Sequence, residues 1–479
     1  MLTGGEELMN QTSKYNLVEG SIVNKLFFVA GPIILTQIFQ MAYNLTDMFW
    51  LGRLSSDAVA ASGTAGLFLW LSMAFFLFGR MGGEIGVSQN LGRGDKTTAR
   101  NFAQNSVVIA IVMGLFTATV FIIFHETFIG FFGIKEAHVE KDAREYLAIV
   151  SFGIPAMFTT AAITGIFNGA GNSRMSMIIN GFGFILNMTL DPILIFSAGF
   201  GIHGAAIATV IANILTVSLA VVMLYKSKNR PFEKMVLFIR PKLEILKQII
   251  KWVTPVSLGS FLFTTLTMIL TPLIANYGAG ALATVRVGSQ IESLTWLIAG
   301  GYAAAMTAFT GQNYGAGKWT RISKGFKLSS IMMTGWGLLV TLLLAFGGGA
   351  LYRVFIPNEP DVIAMGIFYL QLLAFVQVPA CLEGVAAGVF RGMGKTVPPS
   401  ISSITSNIMR VILAYTFVSF TNLGLTGIWL AVVISAAVRG IWIFTWYVIY
   451  SRKVPKTDDK PQTVEILDND LDLSGKHSI

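Results

Sequence analysis

Polar side chains recur at helical spacing inside otherwise apolar stretches of this sequence, and they are the residues best suited to do chemistry. They form three stripes: Gln37, Gln40, Asn44 and Asp47; Asn180, Asn187 and Asp191; and Thr209, Asn213 and Thr216. Spacings of three, four and seven residues place the members of each stripe on one face of a helix. A polar face cannot point into an apolar medium, so we expect the stripes to converge on a wet cavity.

Two of the stripes end in an acid, and these acids, Asp47 and Asp191, carry the sharpest chemical hypothesis. An acid that is removed from water, with a second acid nearby, can bind a proton near neutral pH. Together with Asn and Thr oxygens, the same acids also suit Na⁺, a hard cation that prefers oxygen ligands. Two structural alternatives stay open: the polar groups only join helices by hydrogen bonds, or Asp47 pairs with nearby Arg53. Pro192, directly after Asp191, can bend the helix and free a backbone carbonyl.

Composition predicts that membrane-spanning helices carry these stripes. Of the 479 residues, 54% are hydrophobic and 12% are charged, and the mean hydropathy is +0.66. A soluble protein cannot hide so much apolar surface, whereas helices in a bilayer satisfy their own backbone groups. The single cysteine, Cys381, lies in an apolar stretch and predicts a buried, inert thiol. The four histidines show no metal-ligand spacing.

Apolar segments of about 20 residues predict twelve membrane spans. They cover residues 25–52, 58–88, 102–124, 144–168, 175–199, 202–225, 247–276, 281–311, 325–350, 362–390, 398–420 and 425–450. Basic residues gather in alternate loops, for example at Arg93, Lys318 and Arg391. The net charge of +9 is therefore a sign of membrane orientation and gives no indication of nucleic-acid binding.

The charges of the loops predict the topology. The positive-inside rule places both termini in the cytoplasm of a multi-pass protein of the plasma or inner membrane. The predicted parts are a cytoplasmic segment at 1–24, an N-terminal lobe at 25–232, a C-terminal lobe at 233–452 and a disordered cytoplasmic tail at 453–479. The residues before Met9 resemble a translated ribosome-binding site, which makes Met9 a candidate for the true start.

An internal repeat connects the two predicted lobes at an offset of 223 residues. Pro32 coincides with Pro255, and Tyr146 with Tyr369. The segment 89–94 (QNLGRG) coincides with 312–317 (QNYGAG). Six spans in each repeat make the halves parallel, and such halves usually hold a substrate at their interface.

The C-terminal half lacks the two acids of the first half, because Leu270 and Ala414 stand at the equivalent positions. It carries its own charged residues in or near its spans: Arg286, Glu292, Glu383, Arg410 and Arg439. We expect some of them to pair with each other. Glu383 is balanced between such pairing and a role in the cavity, and the roles of the others stay open.

Four segments resemble the multidrug and toxic compound extrusion (MATE) family, and the resemblance covers about residues 20–450. Residues 43–47 (YNLTD) with Gly52 are similar to its first-span motif, and 311–317 (GQNYGAG) to its loop after the eighth span. Residues 187–195 (NMTLDPILI) are similar to the fifth span of its DinF-like branch. Residues 390–394 (FRGMG) resemble the end of its tenth span.

The resemblance implies an antiporter in which H⁺ or Na⁺ enters while organic, cationic or amphipathic compounds leave through a cleft between two lobes. DinF-like members use two Asp, an Asn and a Thr as the cation site, matched here by Asp47, Asp191, Asn187 and Thr209. Pro32 matches a first-span proline that is linked to helix bending. The seventh-span acid of NorM-like members is absent between residues 252 and 276, which favours the DinF-like branch. Candidates for the substrate cavity are Gln37, Gln40, Asn44, Asn180, Asn213 and Glu383.

Two other functions are alternatives to antiport. A flippase for a lipid-linked precursor would need a wide basic cavity, and the arginines of the C-terminal half leave this alternative open. An intramembrane enzyme would need a nucleophile with a base or a metal, and no such set is visible. Gly394-Lys395-Thr396 ends like a phosphate-binding loop, but Val389 stands where that loop needs glycine, so we expect no nucleotide. The coupling ion is the sole expected cofactor, and the expected partners are small organic molecules and the bilayer.

Overall fold

The computed structural model describes residues 15–226, 230–232, 235, 240–356 and 359–454. The candidate start at Met9 and the predicted disordered tail from residue 455 onward lie outside these ranges. Most of the predicted N-terminal segment also lies outside them, as do Lys228 and Lys234, two lysines of the basic segment between the predicted lobes. The described chain is helical throughout its elements, as its composition predicts.

Fourteen α-helices form two sets of seven in the described residues. The N-lobe contains α1 (Ile22–Leu54), α2 (Ser56–Gly92), α3 (Lys96–Gly130), α4 (Ala137–Ser151), α5 (Ile154–Gly169), α6 (Ser173–Pro192) and α7 (Gly201–Lys226). The C-lobe contains α8 (Leu243–Ala275), α9 (Ala279–Gly315), α10 (Trp319–Phe355), α11 (Pro360–Ala374), α12 (Gln377–Gly392), α13 (Val397–Phe420) and α14 (Leu425–Lys453). Each helix of the second set is the repeat equivalent of the helix seven places earlier.

The two lobes pack in the same way. Helices α2, α3 and α5 pack together in the N-lobe, and their equivalents α9, α10 and α12 pack together in the C-lobe. Glycines with positive φ also repeat: Gly94 (+82°) and Gly317 (+72°) each turn the chain after the second helix of their lobe. A side chain at such an angle would be strained, so the same loop needs glycine in both halves.

Nine of the described helices are long and apolar enough to cross a membrane, and two bent pairs add one span each. The 37-residue helix α9 completes twelve, although Arg286 and Glu292 lower the apolar character of its first half. Twelve spans in two parallel repeats are the predicted fold class, which is confirmed.

Two predicted spans are not single straight helices. The span predicted at 144–168 is the pair α4 and α5, bent by 47°, and the span at 362–390 is the pair α11 and α12, bent by 45°. Pro155 and Pro379 lie near the start of the second helix in each pair. Since proline lacks an amide proton and clashes with the preceding turn, it ends the first helix and lets the second leave at an angle. The third irregularity is a π-helical turn at Ile193–Ser197, directly after Pro192.

The lobes meet at the end that carries the basic loops, here called the basic end and marked by Arg93, Lys318 and Lys395. Helix α9 packs against α1 and α2, and α2 also packs against α8. Two repeat-equivalent glutamines cross between the lobes in opposite directions. Gln89 Nε2 donates to the Gly392 carbonyl at 2.8 Å, and Gln312 Nε2 donates to the Gly169 carbonyl at 3.0 Å. The basic end is therefore closed in this structure.

The segment before α1 joins this closure. Leu17 is fully buried, and its backbone N–H donates to Gln312 Oε1 at 2.9 Å. Its carbonyl accepts from Asn313 Nδ2 and from Arg321 Nε, both at 3.2 Å. Because this segment continues into α1 of the N-lobe, these bonds fasten the N-lobe to α9 and α10 of the C-lobe.

Candidate ion and substrate site

The fifth-span stripe forms the centre of a polar site in the N-lobe. Asp191 on α6 has no exposed surface, and Asn187 one turn earlier is also buried. With its nitrogen facing the acid, the Asn187 amide donates to Asp191 Oδ2 at 2.9 Å and accepts from the Thr209 N–H at 3.2 Å. This orientation gives both amide atoms a suitable partner, so α6 and α7 present one connected polar surface.

Helix α1 supplies the second acid of the site. Asp47 is half-buried, and its Oδ1 atom makes no hydrogen bond within the described chain. Asp47 and Asp191 lie close enough to influence each other electrostatically, and both also influence Tyr43 and Tyr146. The two acids therefore belong to one site.

No lysine, arginine or histidine of the described chain forms an ion pair with either acid. The alternative pairing of Asp47 with Arg53 is not formed, because the Arg53 guanidinium lies over the Phe49 ring at 4.7 Å. Burial of two uncompensated carboxylates is costly unless a cation or protons neutralise them. Chemically, these two carboxylates can bind H⁺ or a small cation such as Na⁺.

Pro192 shapes the backbone beside Asp191. The five-residue turn that follows it is π-helical, and Ala198 N–H donates to the Ile193 carbonyl at 2.8 Å. Proline removes one hydrogen bond of the α-helical ladder, and π-helical turns are frequent at functional sites. The turn places irregular backbone two residues after the buried acid.

Three other residues of the polar stripes take part in helix packing or in local hydrogen bonds. Asn213 packs against Gly153 at the bend between α4 and α5, where its Nδ2 atom lies 3.0 Å from the ideal Cβ position of that glycine. Thr216 packs in the same manner against Gly183 of α6, and its hydroxyl donates to the Ala212 carbonyl. Asn180 donates to the Ser176 carbonyl of its own helix at 2.8 Å. For these three residues the structure shows helix packing or local bonding.

Gln37 faces the other lobe, since its Nε2 atom is the nearest neighbour of the Gly300 position on α9. Gln40 is half-buried, and Asn44 is exposed. The α1 stripe therefore extends from the lobe interface to the acid site. The role of these residues in holding substrate stays a prediction.

Pro32 lies within an unbroken α1. Its missing N–H frees the Phe28 carbonyl one turn earlier, and that carbonyl accepts from Ser173 Oγ of α6 at 3.4 Å. In a regular helix the Phe28 carbonyl would accept from the backbone N–H of residue 32. Because Pro32 lacks that N–H, the carbonyl is free to bond α1 to α6. Bending at Pro32 stays a prediction.

The C-lobe holds a charged cluster of different design. Glu383 on α12 and Arg439 on α14 form an ion pair, with Oε2 and Nε 2.8 Å apart. The Arg439 guanidinium also lies 5.5 Å from the centre of the Trp296 ring. Glu292 accepts from Trp296 Nε1 at 3.1 Å. Glu383, a candidate for the substrate cavity, is therefore engaged in a salt bridge.

Sequence reasoning missed two tyrosines of the N-lobe site. Tyr43 lies one helical turn before Asp47, a spacing that places it on the same face, so the signal was present. Its ring also stacks on Phe184 of α6, with centroids 5.6 Å apart. Tyr146 stood out only as a repeat landmark, because nothing near it in sequence indicates that α4 reaches the acids.

The fold and the site define a class: a two-lobed transporter of twelve spans, closed at one end and holding buried acids in one lobe. The chain belongs to the MatE family, whose family model matches residues 32–193 and again residues 255–416. Both limits of the second match are displaced by 223 residues from the first, which is the offset of the repeat.

Known proteins match this chain over nearly its full length. The chain is 27% identical over 421 residues to a probable multidrug resistance protein NorM of Thermotoga maritima, covering 86% of this chain and 89% of the relative. It is 22% identical over 463 residues to the multidrug export protein MepA of Staphylococcus haemolyticus, covering 96% and 100%. A solved outward-facing structure of a multidrug resistance MATE family transporter matches with a TM-score of 0.86 at 24% identity, covering 92% and 99%. That structural likeness shows the shared fold.

Proposed function

We propose that this chain is a multidrug exporter that exchanges organic cations or amphipathic compounds for entering H⁺ or Na⁺. The observation that carries the proposal is the pair of the half-buried Asp47 and the fully buried Asp191, which have no positive partner among the described residues. Asn187 bonds Asp191 to α7. The names of the relatives, a multidrug resistance protein and a multidrug export protein, support organic compounds as the substrates.

The closed basic end supports a direction of access. We place this end at the cytoplasm of the plasma or inner membrane, since basic loops are retained on that side. The acid site would then be reached from outside in the conformation described here. Breaking the crossed bonds of Gln89 and Gln312 would open the other side, and alternation between the two states would carry the substrate outward.

Competition at the acid site provides the coupling. A cation bound between Asp47 and Asp191 neutralises the site and lowers its affinity for a positively charged substrate. The substrate leaves, the lobes rearrange, and the cation is released into the cytoplasm. The ion drives this cycle only because it binds the two conformations with different affinity.

Ethidium efflux from proteoliposomes tests the proposal. A pH gradient and a Na⁺ gradient are imposed separately on wild type, on Asp191→Asn and on Asp361→Asn, an exposed acid at the start of α11. We expect one gradient to drive efflux in wild type and in Asp361→Asn, and neither gradient to drive it in Asp191→Asn.

Folded wild-type protein that moves no ethidium under either gradient would overturn the proposal. The lipid-linked precursor flippase would then be tested by following a fluorescent polyprenyl-phosphate lipid across the same vesicles. Its basic cavity would have to use Arg410, since Arg439 is already paired with Glu383.

A further inference from the structure

The repeat places an arginine of the C-lobe where the N-lobe has its site amide. Arg410 on α13 is displaced by 223 residues from Asn187 on α6, and Tyr369 by the same offset from Tyr146. Tyr146 interacts with the two acids, whereas Tyr369 interacts electrostatically with Glu292 and Arg410. The two lobes therefore hold equivalent polar clusters whose central residues differ in charge.

The hydrogen-bond donors of Arg410 are only partly used by the described residues. Its Nε atom donates to Ser435 Oγ at 3.0 Å, and this is its one hydrogen bond to the described residues. Its guanidinium lies 5.9 Å from the centre of the Phe263 ring. A guanidinium presents a planar fork of N–H donors, so the outer edge of Arg410 remains able to bind a carboxylate bidentately.

The neighbouring charges leave Arg410 available. Glu383 is occupied by Arg439, and Glu292 is held by the indole N–H of Trp296. Glu292 interacts electrostatically with both arginines but forms an ion pair with neither in the part of the chain described. Arg410 is thus the one positive charge of this cluster without an ion pair among the described residues, so it can take one carboxylate. A doubly charged phosphate would meet stronger repulsion from the two glutamates.

Two exposed aromatic rings lie beside the Arg410 cluster. Phe263 is 41% exposed and Trp296 is 36% exposed. Trp296 contacts Glu292 and Arg439, and Phe263 contacts Arg410, so neither ring is surrounded by lipid alone. Aromatic faces beside guanidinium groups are well suited to a flat apolar body that carries an anionic end.

We propose that the C-lobe cluster around Arg410 is a second ligand subsite, which binds the carboxylate of an aromatic, amphipathic monoanion or zwitterion. Arg410 holds the carboxylate, and Phe263 and Trp296 hold the aromatic body. The proposal extends the substrate class of the proposed exporter and rests on that function for its role in transport, although binding itself does not depend on ion coupling.

Binding of dansylglycine, an aromatic monocarboxylate, and of its methyl ester tests the subsite by dansyl fluorescence on purified full-length protein. In Arg410→Gln we expect the affinity for dansylglycine to fall at least about tenfold, the effect of one charge-assisted interaction, and the affinity for the ester to stay unchanged. Arg410→Lys should weaken the binding of dansylglycine less than Arg410→Gln does. The matched control is Arg286→Gln, which removes an exposed arginine of α9 and should bind both probes as wild type does.

Equal loss of acid and ester in Arg410→Gln would show a structural effect and overturn the proposal. Unchanged dansylglycine binding in Arg410→Gln would overturn it as well. Asp191→Asn separates this proposal from the proposed function, since it should abolish coupled efflux and leave Arg410-dependent binding intact. A chain that binds dansylglycine through Arg410 but exports no ethidium refutes the exporter and retains the subsite.

Discussion

Replacing Gln312 by leucine should favour opening of the basic end. The side chain makes two buried bonds across the closure, to the Gly169 carbonyl at 3.0 Å and from the Leu17 N–H at 2.9 Å. A hydrogen bond of this kind contributes about 0.5–1.5 kcal/mol, so losing both destabilises the closed state by about 1–3 kcal/mol. The open fraction should therefore rise by a factor of about 5 to 150.

Alkylation of a buried cysteine measures this opening. Ser88 is fully buried and faces Gly311 of the other lobe, so Ser88→Cys reports the closure. The background variant is Cys381→Ala, which removes the one natural thiol. When opening is fast relative to labelling, the rate of reaction with a maleimide follows the open population. We expect Gln312→Leu to raise that rate by the factor given above.

Two further glutamines complete the comparison. Gln89→Leu removes one crossed bond, to the Gly392 carbonyl, and should raise the rate by a smaller factor. Gln377→Leu removes a buried glutamine whose bond stays within the C-lobe, from its Nε2 atom to the Leu373 carbonyl of α11, and should leave the rate unchanged. If Gln312→Leu labels no faster than Gln377→Leu, the crossed bonds do not hold the basic end closed.

Two more predictions follow from close contacts. Gly92→Ala places a methyl group 1.9 Å from the Gln312 carbonyl oxygen, so maleimide labelling at the closure should accelerate, whereas Gly335→Ala, which has open space around it, should label as wild type does. Glu383→Gln leaves the 9%-exposed Arg439 unpaired and should destabilise the C-lobe by about 3 kcal/mol, seen as a lower thermal unfolding midpoint, with much of the loss recovered on adding Arg439→Met. An unchanged midpoint in Glu383→Gln would show that the pair does not stabilise the lobe.

The repeat was the part of the fold most open to prediction from sequence. Local patterns such as the QNLGRG and QNYGAG segments mark equivalent turns, and each turn needs glycine at the same place for the same steric reason. The number of apolar segments of about 20 residues then gives the number of spans. The bends at Pro155 and Pro379 were missed, because a proline near a helix start and a proline that divides a span look alike in sequence.

The candidate site was predictable in part. Helical spacing identified Asp191 and Asn187, and the structure places Asn187 in contact with both Asp191 and Thr209. Their role in binding a cation remains a prediction. Spacing cannot show which partner a distant residue meets, and for that reason the ion pair of Glu383 with Arg439, 56 positions apart, could be offered only as one of two outcomes.

The closure of the basic end was beyond sequence reasoning for the same reason. Gln89 and Gln312 lie in segments that the repeat made conspicuous, yet their partners are 303 and 143 residues away. A glutamine in a glycine-rich loop has no local feature that distinguishes an exposed side chain from one that crosses an interface. Only the relative position of the lobes decides this.

Displacement of the coupling ion by substrate tests the central claim most directly. Ethidium is added to purified protein in weakly buffered solution, with and without Na⁺, while released protons are counted and Na⁺ affinity is measured. We expect wild type to release protons, or to bind Na⁺ more weakly, as ethidium binds, and Asp191→Asn to show neither change, because linkage between the two ligands is reciprocal. Ethidium binding that leaves proton and Na⁺ binding unchanged in wild type would contradict exchange at Asp47 and Asp191.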